Sequence, residues 1–325
     1  MLEVKNISFA YQTKKVLENI SLELSRGGHM ALIGESGSGK STLLELIYGL
    51  LTPDKGSIFW SNNKVLGPNY KLVAGEEKMK YLSQEYHLMP YTSVWENIGK
   101  FLPNRFASQK SKRVKELLEL VALESFSDTL VKLLSEGQKQ RVAIARAIAL
   151  EPELLLLDEP FSHIDNRRRN ELRPKLFRYL KKKKISCLIA THHSEDILGY
   201  SDQIVVLKNK QIIAKGTPKA LYENPKSPYL ASFFDLINEI PVSSIFEDKE
   251  TDKTKVLLYP NDIKINAGEQ HQAQVLESYF KGRNYLISLL FKGLEIYVEH
   301  PKFLNKKELV SIRFNLKKVA HRMAD

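Results

Sequence analysis

Residues 34–42 read Gly34-Glu35-Ser36-Gly37-Ser38-Gly39-Lys40-Ser41-Thr42, a spacing suited to holding a polyphosphate. Glycines let the backbone curl so that successive N–H groups point at phosphate oxygens, and a helix starting behind them adds the positive end of its dipole. In this pattern Lys40 reaches the phosphates and the Ser41 hydroxyl is suited to hold Mg²⁺. A second stretch, Leu154-Leu155-Leu156-Leu157-Asp158-Glu159-Pro160, is an apolar strand ending in two carboxylates. Alone it is an ordinary buried strand with a polar turn after it. Beside a phosphate loop, Asp158 is suited to bind Mg²⁺ through water and Glu159 to orient or deprotonate an attacking water.

Both motifs need a sheet to present them. The apolar run Met30 to Ile33 enters the glycine-rich loop, and a helix follows through Leu50, which makes a strand-loop-helix unit. Leu154 to Leu157 and Ser186 to Ala190 read as buried parallel strands, and residues 90–150 as mostly helical. Within residues 2–24, Ile20, Leu22 and Leu24 alternate with Asn19, Ser21 and Glu23, the pattern of half-buried antiparallel strands. The first 230 or so residues thus predict an α/β layered domain with a helical insertion.

At 325 residues the chain has room for a second, smaller domain. After Ile240 a polar stretch, Glu247-Asp248-Lys249-Glu250-Thr251-Asp252-Lys253, reads as a linker. Beyond it, Tyr285 to Phe291 and Leu294 to Val298 flank the two-residue turn Lys292-Gly293, and Val310, Ile312, Phe314 and Leu316 alternate with polar neighbours. The expected organisation is a nucleotide-binding domain over 1–238, a linker over 239–254 and a small all-β domain over 255–325.

Hydrophobic residues make up 43% of the chain, but no run approaches the ~18 apolar residues of a membrane span. The opening Met1-Leu2-Glu3-Val4-Lys5 lacks a secretion-signal pattern and the single Cys187 cannot form an internal disulfide, so the expected location is the cytoplasm. A net charge of +11 suits nucleic acid or an anionic membrane surface. The basic clusters Arg167-Arg168-Arg169 and Lys181 to Lys184, however, flank a helical-looking segment without the interleaved aromatics of a stacking platform, and read as a solvated face.

Leu134-Ser135-Glu136-Gly137-Gln138-Lys139-Gln140-Arg141-Val142-Ala143 resembles the signature sequence of ABC ATPases, a loop opening a helix whose N-terminus can bind phosphate. The resemblance covers residues 2 to about 235 and assigns further roles. It places nucleotide on Tyr11, Val16, Gly34, Ser36, Gly37, Ser38, Gly39, Lys40, Ser41 and Thr42, with Tyr11 as the residue that stacks on adenine. It makes Gln84 the sensor of γ-phosphate and Mg²⁺, alongside Ser41 and Asp158, and His192 the switch histidine beside Glu159. Ser135, Gly137, Gln138 and Asp165 are implied to act on the ATP of a second copy placed head to tail.

The implied protein is an ATP-hydrolysing subunit of a transporter, working with separate membrane permeases that dock on residues 84–98, and with a solute-binding protein. The C-terminal 85 residues resemble the OB-like accessory β-barrel of some importer ATPases; Leu258-Tyr259-Pro260-Asn261-Asp262-Ile263 matches the motif that opens it. An ABC ATPase acting on nucleic acid or the ribosome is the alternative, which the charge favours and the short interval between Thr42 and Leu134 opposes. Two positions depart from the family pattern: Glu136 where a glycine is usual, and His193 where an aspartate is usual.

Overall fold

The computed structural model describes residues 1–246, 255–265 and 271–323. They divide into two compact units, Met1–Pro218 and Lys219–Asp325. The strands of the first are β1 (Leu2–Tyr11), β2 (Lys14–Leu24), β3 (His29–Ile33), β4 (Lys55–Trp60), β5 (Asn63–Lys64), β6 (Met79–Leu82), β7 (Leu154–Asp158), β8 (Ser186–Thr191), β9 (Gln203–Lys208) and β10 (Gln211–Gly216). Its longer helices are α1 (Lys40–Tyr48), α2 (Val94–Gly99), α3 (Ala107–Leu120), α4 (Glu136–Ala147) and α5 (Asn166–Lys182).

Alternation builds the first sheet. Leu2, Val4 and Ile7 of β1 and Ile20, Leu22 and Leu24 of β2 are buried while their neighbours face outward, and the strands pair antiparallel in the order β2-β1-β4-β5. The second sheet has the order β10-β9-β3-β8-β7-β6, parallel from β9 to β6 with β10 antiparallel at its edge. Its strands β3, β7 and β8 are buried throughout, which is why they read as continuous apolar runs instead of alternating ones. The α/β core, antiparallel sheet and helical segment foreseen from the sequence are all present. Register does the positioning: Ile33 pairs with Thr191, Asp158 with Ala190 and Leu82 with Leu157, so four strands end along one edge of the sheet. In open parallel sheets this carboxyl edge is where ligands bind.

The second unit has its own apolar core, which includes Ile240, Val256, Ile287, Phe291 and Phe314. Strand Asn238–Pro241 pairs antiparallel with Lys255–Leu258, so the first residues of the expected linker join the small β unit. The polar stretch 247–254 lies outside the described residues. Five antiparallel strands complete the unit in the spatial order Ile263–Ile265, Leu309–Phe314, His271–Phe280, Tyr285–Phe291, Leu294–His300, and the two outermost approach one another, curling the sheet toward a barrel. In the opening motif Tyr259 is buried and its N–H donates to Asp262 Oδ2 at 3.0 Å; the same oxygen accepts from Arg322 Nη1 at 2.8 Å.

Candidate active site

The loop between β3 and α1 turns on Gly39, whose φ of 101° is left-handed and strains any other residue, and whose added Cβ would lie 2.7 Å from Leu17 Cδ2 and force that side chain to shift. Lys40, the first residue of α1, is buried and folds back to donate from Nζ to the carbonyls of Gly34 at 2.8 Å and Glu35 at 2.9 Å. Burial lowers the pKa of its ammonium, and the nearby carboxylates of Glu159 and Asp158 oppose that. A cleft of about 500 Å³ opens over this loop, lined by Val16, Ser36, Gly37, Gly39, Lys40, Ser41, Thr42, Gln84, Glu159, Ser162, His163 and His192.

Asp158 ends β7 behind the cleft residues Ser41 and Gln84, 4% exposed, with Oδ2 accepting from the Tyr81 hydroxyl at 3.4 Å. Burial raises its pKa; the facing Ser41 hydroxyl, Gln84 amide and Lys40 lower it, and Glu159 raises it further. Glu159 follows at a φ of 49°, a left-handed conformation that costs a non-glycine residue about 1 kcal/mol. The surroundings over-determine it: its N–H donates to Ala190 O at 2.9 Å, and its carbonyl accepts from Gln140 Nε2 at 2.9 Å and Ser162 Oγ at 3.0 Å. The twist sends Oε1 to 2.8 Å from Nδ1 of His192, just beyond the end of the adjacent β8.

Ser135 caps α4 through a reciprocal pair with Gln138: its Oγ accepts Gln138 N–H at 3.3 Å and its N–H donates to Gln138 Oε1 at 2.8 Å. Glu136 is turned to Lys139, Oε1 to Nζ 2.8 Å. Asp165 caps α5, accepting from Arg168 N–H at 3.0 Å. Ser135, Gly137, Gln138 and Asp165 all lie outside the cleft lining, as do Gly34, Ser38 and Asp158. Tyr11 lies outside the lining too, 45% exposed at the end of β1 with its hydroxyl donating to Glu45 Oε2 at 3.3 Å, whereas Val16 is on the cleft wall. The structure therefore gathers the phosphate loop, both carboxylates, Gln84 and His192, and leaves Ser135, Gly137 and Gln138 of the signature stretch outside the cleft lining.

Three contributors carried no chemical signal in the sequence. Ser162 and His163 line the cleft, and His163 Nδ1 lies 2.7 Å from the Tyr86 hydroxyl. Gln140, 1% exposed, donates to Glu159 O and accepts His163 N–H at 3.0 Å, tying α4 to the loop that carries the carboxylates. Its place three residues beyond Gly137, on the same helix face, is the one hint the spacing offered.

Sequence and fold both have counterparts among known proteins. The profile of the family described as ABC transporter matches residues 17–162. The sulfate/thiosulfate import ATP-binding protein CysA of Synechococcus elongatus is 36% identical over 269 residues, 81% of this chain and 77% of that protein. The Fe(3+) ions import ATP-binding protein FbpC 2 of Haemophilus influenzae is 30% identical, covering 92% of this chain and 90% of that one. The spermidine/putrescine import ATP-binding protein PotA of Clostridioides difficile is 34% identical over 90% of this chain and 89% of its own length. Among solved structures, the dimeric post-hydrolysis state of the ATP-binding cassette MJ0796 bound to ADP and Pi superposes with a TM-score of 0.61 at 27% identity, over 67% of this chain and 99% of that one. The cbiO1 protein of Clostridium perfringens, part of the transporter complex cbiONQ, gives 0.59 at 30% identity, over 68% of this chain and 90% of that one.

Proposed function

The chain belongs to the ABC transporter family of ATP-binding, ATP-hydrolysing subunits, and from that footing we propose that it drives solute import by closing head to tail on a second such subunit beneath separate membrane permeases. The observation that carries this reading is the divided site: one chain holds a phosphate cleft with its carboxylates and histidine, while Ser135, Gly137, Gln138 and Asp165 lie outside that cleft. A second copy supplies what the first lacks. Relatives named as import ATP-binding proteins, with 89–90% of two of them covered, support import over a role on nucleic acid. No helix among the described residues is long and apolar enough to cross a membrane, which fits a subunit held at the cytoplasmic face by permeases and served by a solute-binding protein.

In this mechanism the loop N–H groups and Lys40 bind the ATP phosphates, exchanging Lys40's contacts to Gly34 and Glu35 for phosphate oxygens. Ser41, Gln84 and Asp158 offer oxygen donors of the kind Mg²⁺ takes, and buried Asp158 Oδ1 has no hydrogen-bond partner among the described residues, so they fit the ion. Bound there, Mg²⁺ supplies neutralisation of phosphate charge. Glu159, held by its backbone contacts and by His192, orients the attacking water and takes its proton. His192 lies 52% exposed on the open side of the cleft, where it can meet the terminal phosphate.

The test pairs Glu159→Gln with detergent copurification. With ATP and Mg²⁺ the variant should bind nucleotide and run as a dimer on gel filtration while hydrolysing at least ~100-fold more slowly. A variant that stays monomeric, or a parent that retains nucleic acid instead of permeases, contradicts the proposal.

A further inference from the structure

We propose that Arg173 is a positioning residue for hydrolysis, holding the Glu159–His192 pair in register through Asp196. The inference rests on the reading of that pair as the water-aligning groups. Arg173 lies on a face of α5 that otherwise presents Leu172, Leu176, Phe177 and Leu180 to the interior, and its side chain is only 7% exposed. Its Nη2 lies 2.8 Å from Oδ1 of Asp196, whose side chain is 2% exposed. Burying such a pair is costly, and apolar replacements of similar volume often match its stability. Stability alone therefore gives little reason for the pair to be there, and the contacts at its two ends suggest another.

One end reaches the carboxylate segment: the guanidinium sits over the ring of Phe161, 6.0 Å from its centroid and two residues beyond Glu159. The other reaches the histidine segment. Asp196 Oδ2 accepts from the Thr191 hydroxyl at 3.2 Å; that hydroxyl accepts His193 N–H at 3.1 Å, and Asp196 N–H closes the turn on His193 O at 3.1 Å. His192 lies between those two anchored neighbours. Its own ring is half exposed and rests on that of His193, centroids 4.0 Å apart, so the 2.8 Å approach to Glu159 depends on a backbone that does not move at either residue. Besides the Glu159–His192 contact itself, Arg173 thus touches both of the segments that deliver the members of the pair. Glu195, 3.7 Å from Arg173 and largely exposed, is a weak second partner.

The test is a double-mutant cycle on the full chain. Arg173→Met/Asp196→Leu keeps volume and removes both charges, so it should melt near the parent and bind ATP with affinity within about threefold. Its kcat should fall about tenfold with KM little changed, because the loss is of alignment and not of binding. In a His192→Ala background the same double substitution should cost nothing further, since the group it positions is gone. Thr191→Val, which deletes only the linking hydroxyl, should repeat the pattern on a smaller scale, about threefold, and serves if the double variant fails to fold. Undiminished kcat, or losses that add in full in the His192→Ala background, overturn the inference while leaving the function intact. A His192→Ala chain hydrolysing at the parent rate overturns the water-aligning reading, and the inference with it.

Discussion

Gly137→Ala separates two roles that the signature loop can play. A Cβ built on Gly137 would lie 2.6 Å from the carbonyl oxygen of His163, where real contacts stay above 3.0 Å, and its next neighbours are the His163 carbonyl carbon and Ile164 Cα at 3.5 Å. All three belong to backbone, so no side chain can swing away, and either the start of α4 or the loop 162–165 must retreat by about 0.4 Å or more. Overpacking of this kind costs about 1–3 kcal/mol, which in a unit of this size lowers Tm by about 3–9 °C. The shift also pulls on Gln140, one turn along α4, whose bonds to Glu159 O at 2.9 Å and His163 N at 3.0 Å hold the carboxylate loop. Turnover should then fall about tenfold, near 1.4 kcal/mol of transition-state stabilisation, while ATP affinity stays within about threefold because residues 34–42 are untouched. Differential scanning calorimetry of the nucleotide-free chain and a phosphate-release assay measure both quantities. A Tm within 1 °C of the parent together with lost turnover would refute the intrachain argument and leave Gly137 acting only on the partner's nucleotide.

Glu136→Gly removes the 2.8 Å contact to Lys139 and a charge favoured at a helix N-terminus, so it should cost about 1 kcal/mol in thermal stability yet leave ATP hydrolysis equal or faster. A tenfold loss of rate would show an active role for the carboxylate. Asp158→Asn should abolish Mg²⁺-dependent hydrolysis but stabilise the nucleotide-free chain in EDTA by about 1 kcal/mol at neutral pH, because burial raises the pKa of Asp158 above its ordinary 3.8. With that sign the native state holds the proton to higher pH than the unfolded chain. Parent stability therefore drops as pH climbs through the folded pKa, and the advantage of the variant should shrink on acidification toward pH ~4; melting curves showing a constant gap exclude this. A chain ending at Pro218 should fold and bind ATP, since every cleft residue precedes it and the second unit has a separate core. Insolubility of that chain, with the full one well behaved, would mean a single folding unit.

The features legible in the sequence were functions that reside in consecutive residues. A phosphate loop acts through its own successive N–H groups, so Gly34 to Thr42 identifies itself wherever a strand precedes it and a helix follows. The helix cap at Ser135 is of the same kind, local and complete within Ser135 to Gln138. The β-strands were legible because burial on one face or two leaves a pattern of period two or an unbroken apolar run. Arg173 had no such mark: among the eight arginines and lysines of α5 it reads as one more solvated cation, and only the folded chain buries it beside Asp196. The need for glycine at 137 lies 26 residues away in the His163 carbonyl, and Gln140 meets Glu159 across 19 residues. Backbone proximity between distant segments is set by sheet register and helix packing, which are summed over many weak contacts and are written in no single motif. The sequence by itself thus determined the ATP-binding family and offered residues 34–42 as the loop for its phosphates; which side chains hold the carboxylate and histidine in place was decided by the tertiary structure, because their partners meet only once the sheet has formed.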